Sequence, residues 1–194
     1  MAKVELSAWR RGLTYNRAMN AERESDAVRA AIPIIPNVAL EKLKLLYAQL
    51  DDDIALRKPV CNASGRCCKF ELWGHGLYVS TLELANFPQV TRREQPDAPG
   101  TDSVAAITFP LPLYQEDGTL SPGCPWQIDG LCTARSARPL GCRIYFCDTP
   151  AKSWQQERYE YYHENITALH AAFEIPYHYI EWRQALAISG TGPK

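Results

Sequence analysis

The sequence predicts an α+β fold that is mostly α-helical, with helical N- and C-terminal segments packed around a small, irregular, cysteine-rich core with short strands. Three observations support this expectation. Apolar residues recur at helical spacing near both ends of the chain. All seven cysteines lie between residues 61 and 147. Eight of the 14 prolines fall in residues 88–139, where they disfavour long strands and helices.

The length of 194 residues corresponds to one domain, 1–194, that can bury a core without disulfides. Within it we distinguish a helical N-terminal part (1–60), the cysteine-rich core (61–147) and the C-terminal helices (148–194). No internal repeat divides the chain further.

The N-terminal part is predicted to contain one strong and one weak helix. Asn37 is a suitable N-cap for the strong helix, and Pro59 stops it. The weak helix covers about residues 16–31 and ends at Pro33. The apolar face of the strong helix is formed by Ala39, Leu43, Leu46, Leu50 and Ile54.

The middle of the chain is predicted to be mixed. Residues 69–79 are expected to be extended, with a break at residues 74–76. Ser80 and Glu83 form a capping box that opens a short helix to about Phe87. Residues 104–114 contain two prolines and are therefore at most an edge strand. Turns are expected at Asp117-Gly118 and Asp129-Gly130.

The C-terminal part is again helical. Thr149 followed by Pro150 is typical of a helix start. A second short helix is expected after Pro176, running through Tyr179, Trp182 and Leu186. The apolar face of the first helix is formed by Tyr159, Tyr162, Ile166, Leu169 and Phe173.

The charges nearly balance, with 21 Lys and Arg against 22 Asp and Glu. This balance excludes a strongly basic nucleic-acid binder and an acidic disordered chain, so nucleic acid is not expected as a partner. Residues 1–12 contain no apolar run typical of a signal peptide, and no window reaches the ~18 apolar residues of a membrane helix. We therefore expect a cytoplasmic protein with no membrane partner.

In a reducing compartment, an odd number of cysteines is not expected to form a disulfide framework. Their spacing matches neither the short C-x2–4-C pairs of a zinc finger nor the C-x2-C-x2-C run of a bacterial ferredoxin. Both groups of cysteines are rich in turn-forming residues, which lets thiolates converge on zinc, Cu(I) or an iron–sulfur cluster. Burial as small apolar side chains is the alternative. The spacing is Cys61-x5-Cys67-Cys68, then Cys124-x7-Cys132-x9-Cys142-x4-Cys147.

Residues 61–68 (CNASGRCC) resemble the motif that names the CxxCxxCC zinc- or iron-chelating domain family. Residues 124–132 (CPWQIDGLC) resemble that family's second segment, which has Cys-Pro, a short hairpin, Asp-Gly and Cys. Residues 133–146 (TARSARPLGCRIYF) resemble its Arg-Pro-Leu, Cys-Arg and aromatic stretch. The resemblance spans residues 61–147, under half of the chain. It departs at Ser64, where the family has a cysteine.

This resemblance implies that the core is metal-binding and that six cysteines match the family's ligands: Cys61, Cys67, Cys68, Cys124, Cys132 and Cys142. One zinc or one [4Fe–4S] cluster takes only four thiolates, and adjacent residues of an extended chain point apart. We therefore rank Cys67 and Cys124 below the other four. Cys147 either compensates for Ser64 or is an ordinary buried residue. The long spacings favour an iron–sulfur cluster, [4Fe–4S] in particular, over zinc by a small margin.

Other side chains near the cysteines are candidates for supporting roles. His75 is the only histidine placed to join the site, although a loop residue without a metal role is the simpler interpretation. Stabilisation of thiolates is favoured over the binding of an anionic substrate for the four neighbouring arginines, which are Arg66, Arg135, Arg138 and Arg143.

Three functions remain open at this point. The first is a metalloprotein with an iron–sulfur cluster or zinc, in a redox or metal-handling role. The second is an enzyme that uses this centre to modify a macromolecule, because the flagellin lysine methylase family carries a similar cysteine arrangement. No S-adenosylmethionine loop is recognisable, which counts against that analogy. The third is a zinc-stabilised module that binds a protein partner.

Overall fold

The computed structural model describes residues 23–94, 113–117 and 119–189. Residues 16–22 of the weak helix, residues 104–112 of the edge strand and Gly118 lie outside these ranges. The described helices are α1 (23–31), α2 (Asn37–Arg57), α3 (Phe70–Trp73), α4 (Thr81–Glu94), α5 (Leu140–Ile144), α6 (Lys152–Ala172) and α7 (Trp182–Ile188). Turns of 3-10 helix cover Ile32–Ile34, Arg66–Cys68 and Thr149–Ala151. The strands are β1 (Tyr78–Ser80), β2 (Gln127–Ile128), β3 (Leu131–Cys132) and β4 (Tyr179–Glu181).

The predicted class, a mostly helical α+β fold, is confirmed. The described strands form two small antiparallel sheets. β1 pairs with β4, with Val79 opposite Ile180, and β2 pairs with β3. None of the described helices has both the length and the apolar character that crossing a bilayer requires.

Helix α2 begins at Asn37, one residue earlier than expected, because an N-cap at Asn37 would place the first helical residue at position 38. Asn37 is the first helical residue, so its assignment as N-cap is wrong. Pro36 caps the helix instead, because its extended backbone directs its carbonyl at the amide of Ala39, 2.9 Å away. The predicted apolar face is confirmed at Ala39, Leu43 and Leu50, which are buried. The chain turns into a left-handed conformation at Lys58, before Pro59.

The capping box at the start of α4 is confirmed in both directions. Glu83 Oε2 accepts the Ser80 amide hydrogen at 2.8 Å, and Ser80 Oγ accepts the Glu83 amide hydrogen at 3.4 Å. The helix does not stop near Phe87 as predicted but continues to Glu94. Proline disfavours the helical conformation of the preceding residue without forbidding it, so Pro88 is accommodated inside α4.

Two other local predictions are wrong. The segment after Cys68 is not extended, because Phe70–Trp73 form the single turn α3, which ends at Gly74 in a left-handed conformation. Tyr179 lies in strand β4 and not in the last helix, which begins only at Trp182. At Tyr179 tertiary pairing decides the conformation, since β4 is formed by its contact with β1.

The hydrophobic core has two parts that meet at α4. The first is helical and joins α2, α4, α5 and α6 through Leu43, Leu82, Leu140 and Ile166. The second surrounds Phe87, whose ring lies 5.2 Å from that of Trp126 and 4.8 Å from that of Trp182, centroid to centroid. Three partly buried cysteines pack against this second part, namely Cys124, Cys132 and Cys142.

Candidate metal centre

A tight turn presents the first pair of cysteines. Gly65 has a φ of +69°, which favours glycine, and its carbonyl accepts the Cys68 amide hydrogen at 3.1 Å. The following 3-10 turn places the sulfurs of Cys67 and Cys68 only 3.9 Å apart. The ranking of Cys68 above Cys67 assumed an extended chain, and this segment is not extended.

The second group of cysteines is carried by a hairpin and a short helix. Asp129 and Gly130 both have positive φ, so the predicted turn there is confirmed as the two-residue connection of β2 and β3. Cys132 ends β3, and Cys142 lies in α5, which begins after Pro139.

Backbone contacts join the two groups. The Cys124 amide donates to the Cys68 carbonyl at 2.8 Å, and the Gln127 side-chain amide donates to the Gly65 carbonyl at 2.9 Å. Gly123 has a φ of +77°, and a Cβ at this position would lie 2.9 Å from the Cys68 oxygen. The close approach of the two segments therefore depends on glycine at position 123.

Five cysteines converge at this junction, and we call them the thiol cluster: Cys67, Cys68, Cys124, Cys132 and Cys142. The hydrogen bond from Cys68 lowers the pKa of Cys67 to about 6 and also lowers the pKa of Cys124. The pKa of Cys68 is raised because the protonated thiol makes these hydrogen bonds. Trp182 Nε1 donates to the Cys124 sulfur at 3.4 Å.

The remaining two thiols of the cluster are, like Cys68, disfavoured as thiolates. Burial raises the pKa of Cys132 and of Cys142, and the charges of neighbouring cysteines raise both further. The guanidinium of Arg138 opposes this effect at both residues, and burial lowers its own pKa. Arg138 therefore lies close enough to Cys132 and Cys142 for its charge to favour their thiolate forms.

Arg143 has a different role from the one predicted. Its Nη1 pairs with Asp51 Oδ2 at 2.9 Å, its Nε donates to the Arg138 carbonyl at 2.7 Å, and its guanidinium lies 4.3 Å from the Tyr47 ring centroid. Arg143 therefore links α5 to α2 through its ion pair with Asp51 and its contact with Tyr47, and none of the described hydrogen bonds joins it to a thiol of the cluster. Sequence reasoning missed Asp51 because 92 residues separate the two partners.

Cys61 and Cys147 lie apart from the thiol cluster. Cys61 is exposed, and none of the other cysteines contacts its sulfur. The Cys147 sulfur lies 3.3 Å from Ser64 Oγ, at the position where the family motif has a cysteine. Position 64 and Cys147 are therefore neighbours, as the compensation hypothesis requires.

A cleft of about 620 Å³ opens beside the thiol cluster. Cys67, Cys142 and Cys147 contribute to its lining, together with His75 and Tyr145, whose rings are stacked at 5.7 Å. His75 Nε2 is buried, and none of the described residues gives it a hydrogen-bond partner. His75 is thus a wall residue of the cleft.

The donor chemistry of the thiol cluster fits a thiolate-bound metal. Two sulfurs that share one tetrahedral zinc, each about 2.3 Å from it, lie about 3.8 Å apart, close to the 3.9 Å between Cys67 and Cys68. Within the described part of the chain, no three His, Cys, Asp or Glu side chains already surround a common point as metal ligands. A change of one χ1 rotamer moves a cysteine sulfur by about 3 Å, so ligation requires side-chain rotation.

Comparison with known proteins gave no match to this chain among protein-family models, curated proteins or solved structures.

Proposed function

We propose that this protein is a metalloprotein whose metal is held by four thiolates of the thiol cluster. The observation that carries the proposal is the convergence of five cysteines from three separate segments on one partly buried junction. Soft thiolate ligands select zinc or iron–sulfur chemistry over the hard cations. The alternative is that these cysteines are buried only as small apolar side chains. That alternative explains neither why five of them lie together nor why the charged Arg138 lies beside them.

The short distance between the sulfurs of Cys67 and Cys68 and the hydrogen bond between Cys68 and Cys124 favour these three residues as ligands, with Cys132 or Cys142 as the fourth. Cys68 interacts with both Cys67 and Cys124, so one metal ion can replace the proton that these sulfurs share. Burial raises the pKa of Cys132 and of Cys142, and a bound dication would lower it again, because a thiol that coordinates a metal is deprotonated. Compared with the four ligands ranked first from the sequence, this proposal replaces Cys61 and one of Cys132 and Cys142 by Cys67 and Cys124.

The short Cys67–Cys68 distance moves the preference from a [4Fe–4S] cluster towards zinc. In a [4Fe–4S] cluster each of the four irons takes one cysteine, whereas zinc takes several thiolates on one ion. A [2Fe–2S] cluster also places two thiolates on one iron and is the iron alternative. The metal then decides the role, since zinc has no redox chemistry and an iron–sulfur cluster transfers electrons.

Metal analysis of anaerobically purified protein, together with its absorption spectrum, tests the proposal. We expect one equivalent of zinc and a colourless solution; brown protein with iron supports the iron alternative. The matched variants are Cys68→Ser and Cys61→Ser. Cys68→Ser should lose the metal, whereas Cys61→Ser should keep it, because Cys61 is exposed and outside the cluster. Wild-type protein with neither zinc nor iron, purified in buffers without chelators, would overturn the proposal.

A further inference from the structure

The 620 Å³ cleft beside the thiol cluster is larger than metal binding requires. Its volume lies within the range of about 300–1,000 Å³ that is typical of small-molecule sites. Its walls come from the 3-10 turn at Arg66–Cys68, from β1 and β4, and from the segment around α5 and the start of α6. The cleft therefore lies where these elements meet, with two cysteines of the thiol cluster in its lining.

Positive charge predominates in the cleft. Arg66 and Lys152 contribute to the lining, and none of the described lining residues is a carboxylate. The one described lining residue that favours an anionic form is Cys67, whose pKa is lowered by the hydrogen bond from Cys68. No described carboxylate forms an ion pair with either cation. The Arg66 guanidinium lies 3.9 Å from the Trp73 ring centroid, a stacking contact that leaves its N–H groups available to an acceptor. The cleft therefore favours an anion.

Flat aromatic faces form much of the wall. Tyr145 is stacked on His75, and Tyr78 is stacked on Tyr179 at 5.5 Å between centroids. Tyr78 remains 47% exposed and Tyr145 41% exposed, and both line the cleft, so both rings can still cover a ligand. Tyrosine rings in this position stack on planar groups and offer little to a saturated chain.

We propose that this cleft binds a small aromatic anion, such as an aromatic carboxylate, whose charge is met by Arg66 and Lys152 and whose ring stacks on the tyrosines. The inference goes beyond metal binding, since the residues that bind the ligand are not metal ligands. A molecule bound in the cleft lies next to Cys67 and Cys142, so a ligand of this size can reach the thiol cluster through the cleft. Only this last consequence rests on the proposed function.

Binding of 2-naphthoate, measured by calorimetry and by amide chemical shifts, tests the inference. Two probes serve as controls: 2-naphthamide lacks the charge, and decahydro-2-naphthoate lacks the aromatic ring. We expect 2-naphthoate to bind about tenfold more tightly than either control, with shifts confined to the cleft residues. Equal affinity for naphthoate and naphthamide, or shifts elsewhere on the molecule, would overturn the proposal.

Two pairs of variants locate the binding site. Lys152→Gln should weaken naphthoate binding about fivefold, the effect of one exposed charge, and should leave naphthamide binding unchanged. Lys42→Gln, an exposed lysine on α2, is the matched control and should change neither. Tyr145→Leu should weaken naphthoate binding, and Tyr145→Phe should retain it. Naphthoate binding that is the same in Lys152→Gln and in wild type contradicts the assigned charge site.

The same titrations on metal-free and metal-loaded protein separate the two proposals. Naphthoate binding by protein that takes up no metal supports the cleft assignment and overturns the proposed function. Stoichiometric metal with no naphthoate binding in either form does the reverse.

Discussion

Replacement of Gly123 by alanine tests the junction on which the thiol cluster depends. A left-handed alanine costs about 1–2 kcal/mol relative to glycine. At Gly123, whose φ is +77°, the added Cβ would also lie 2.9 Å from the Cys68 carbonyl oxygen, a backbone atom that cannot rotate away. Such overpacking costs about 1–3 kcal/mol more. We therefore expect Gly123→Ala to lower the free energy of unfolding by about 3 kcal/mol.

Gly74→Ala is the matched control for this substitution. Gly74 has a φ of +63°, and a Cβ there would meet nothing within 4 Å, so only the backbone strain remains. Its expected cost is about 1 kcal/mol. Urea unfolding of the two variants measures the difference of about 2 kcal/mol, and metal content should fall only in Gly123→Ala. Equal destabilisation and equal metal content in both variants would refute the contact between Gly123 and Cys68.

Three further predictions concern the helical part of the molecule. Glu83→Ala should cost about 3–5 kcal/mol in urea unfolding, because it leaves the buried amides of Ser80 and Leu140 and the Tyr47 hydroxyl without their acceptor; a loss under 1 kcal/mol would contradict these bonds. Arg143→Met should cost about 3 kcal/mol and Asp51→Asn under about 1 kcal/mol, because the arginine is buried and makes further bonds whereas the aspartate is half exposed; similar losses in both would be inconsistent with this asymmetry. Burial holds the pKa of His170 below its ordinary value of 6.5, so the unfolded chain takes up a proton at a higher pH than the folded protein does. The contribution of neutral His170 to the free energy of unfolding should therefore be complete above pH 6.5 and should fall as the pH drops below it. Between pH 7.5 and pH 5.5, His170→Gln should lose less of its free energy of unfolding than the wild type does.

Features formed by neighbouring residues could be predicted from the sequence. The capping box of Ser80 and Glu83 and the turn at Asp129 and Gly130 are each formed within a few consecutive residues, and both are present. The long-range hydrogen bonds that Glu83 accepts from Leu140 and Tyr47 could not be predicted. Its bond to the Leu140 amide spans 57 residues, and its bond to Tyr47 spans 36. No periodicity in a single sequence signals such a contact.

The candidate site shows the same division. The spacing identified which segments carry the cysteines but not which sulfurs meet. Cys68 is ranked above Cys67 on the assumption that the chain is extended there, although Gly65 is a signal for a turn at this place. The cleft was missed because its tyrosines and cations come from the Arg66–Cys68 turn, β1, the end of α5, α6 and β4, which are remote from one another in sequence. Their convergence is set by tertiary packing alone.

X-ray absorption at the metal edge of the purified protein tests the central claim most directly, because it counts the ligand atoms around the metal. The account predicts a first shell of four sulfurs at about 2.3 Å, unchanged in Cys61→Ser. A first shell of nitrogen and oxygen atoms, or a sulfur shell that is lost in Cys61→Ser and retained in Cys68→Ser, would contradict it.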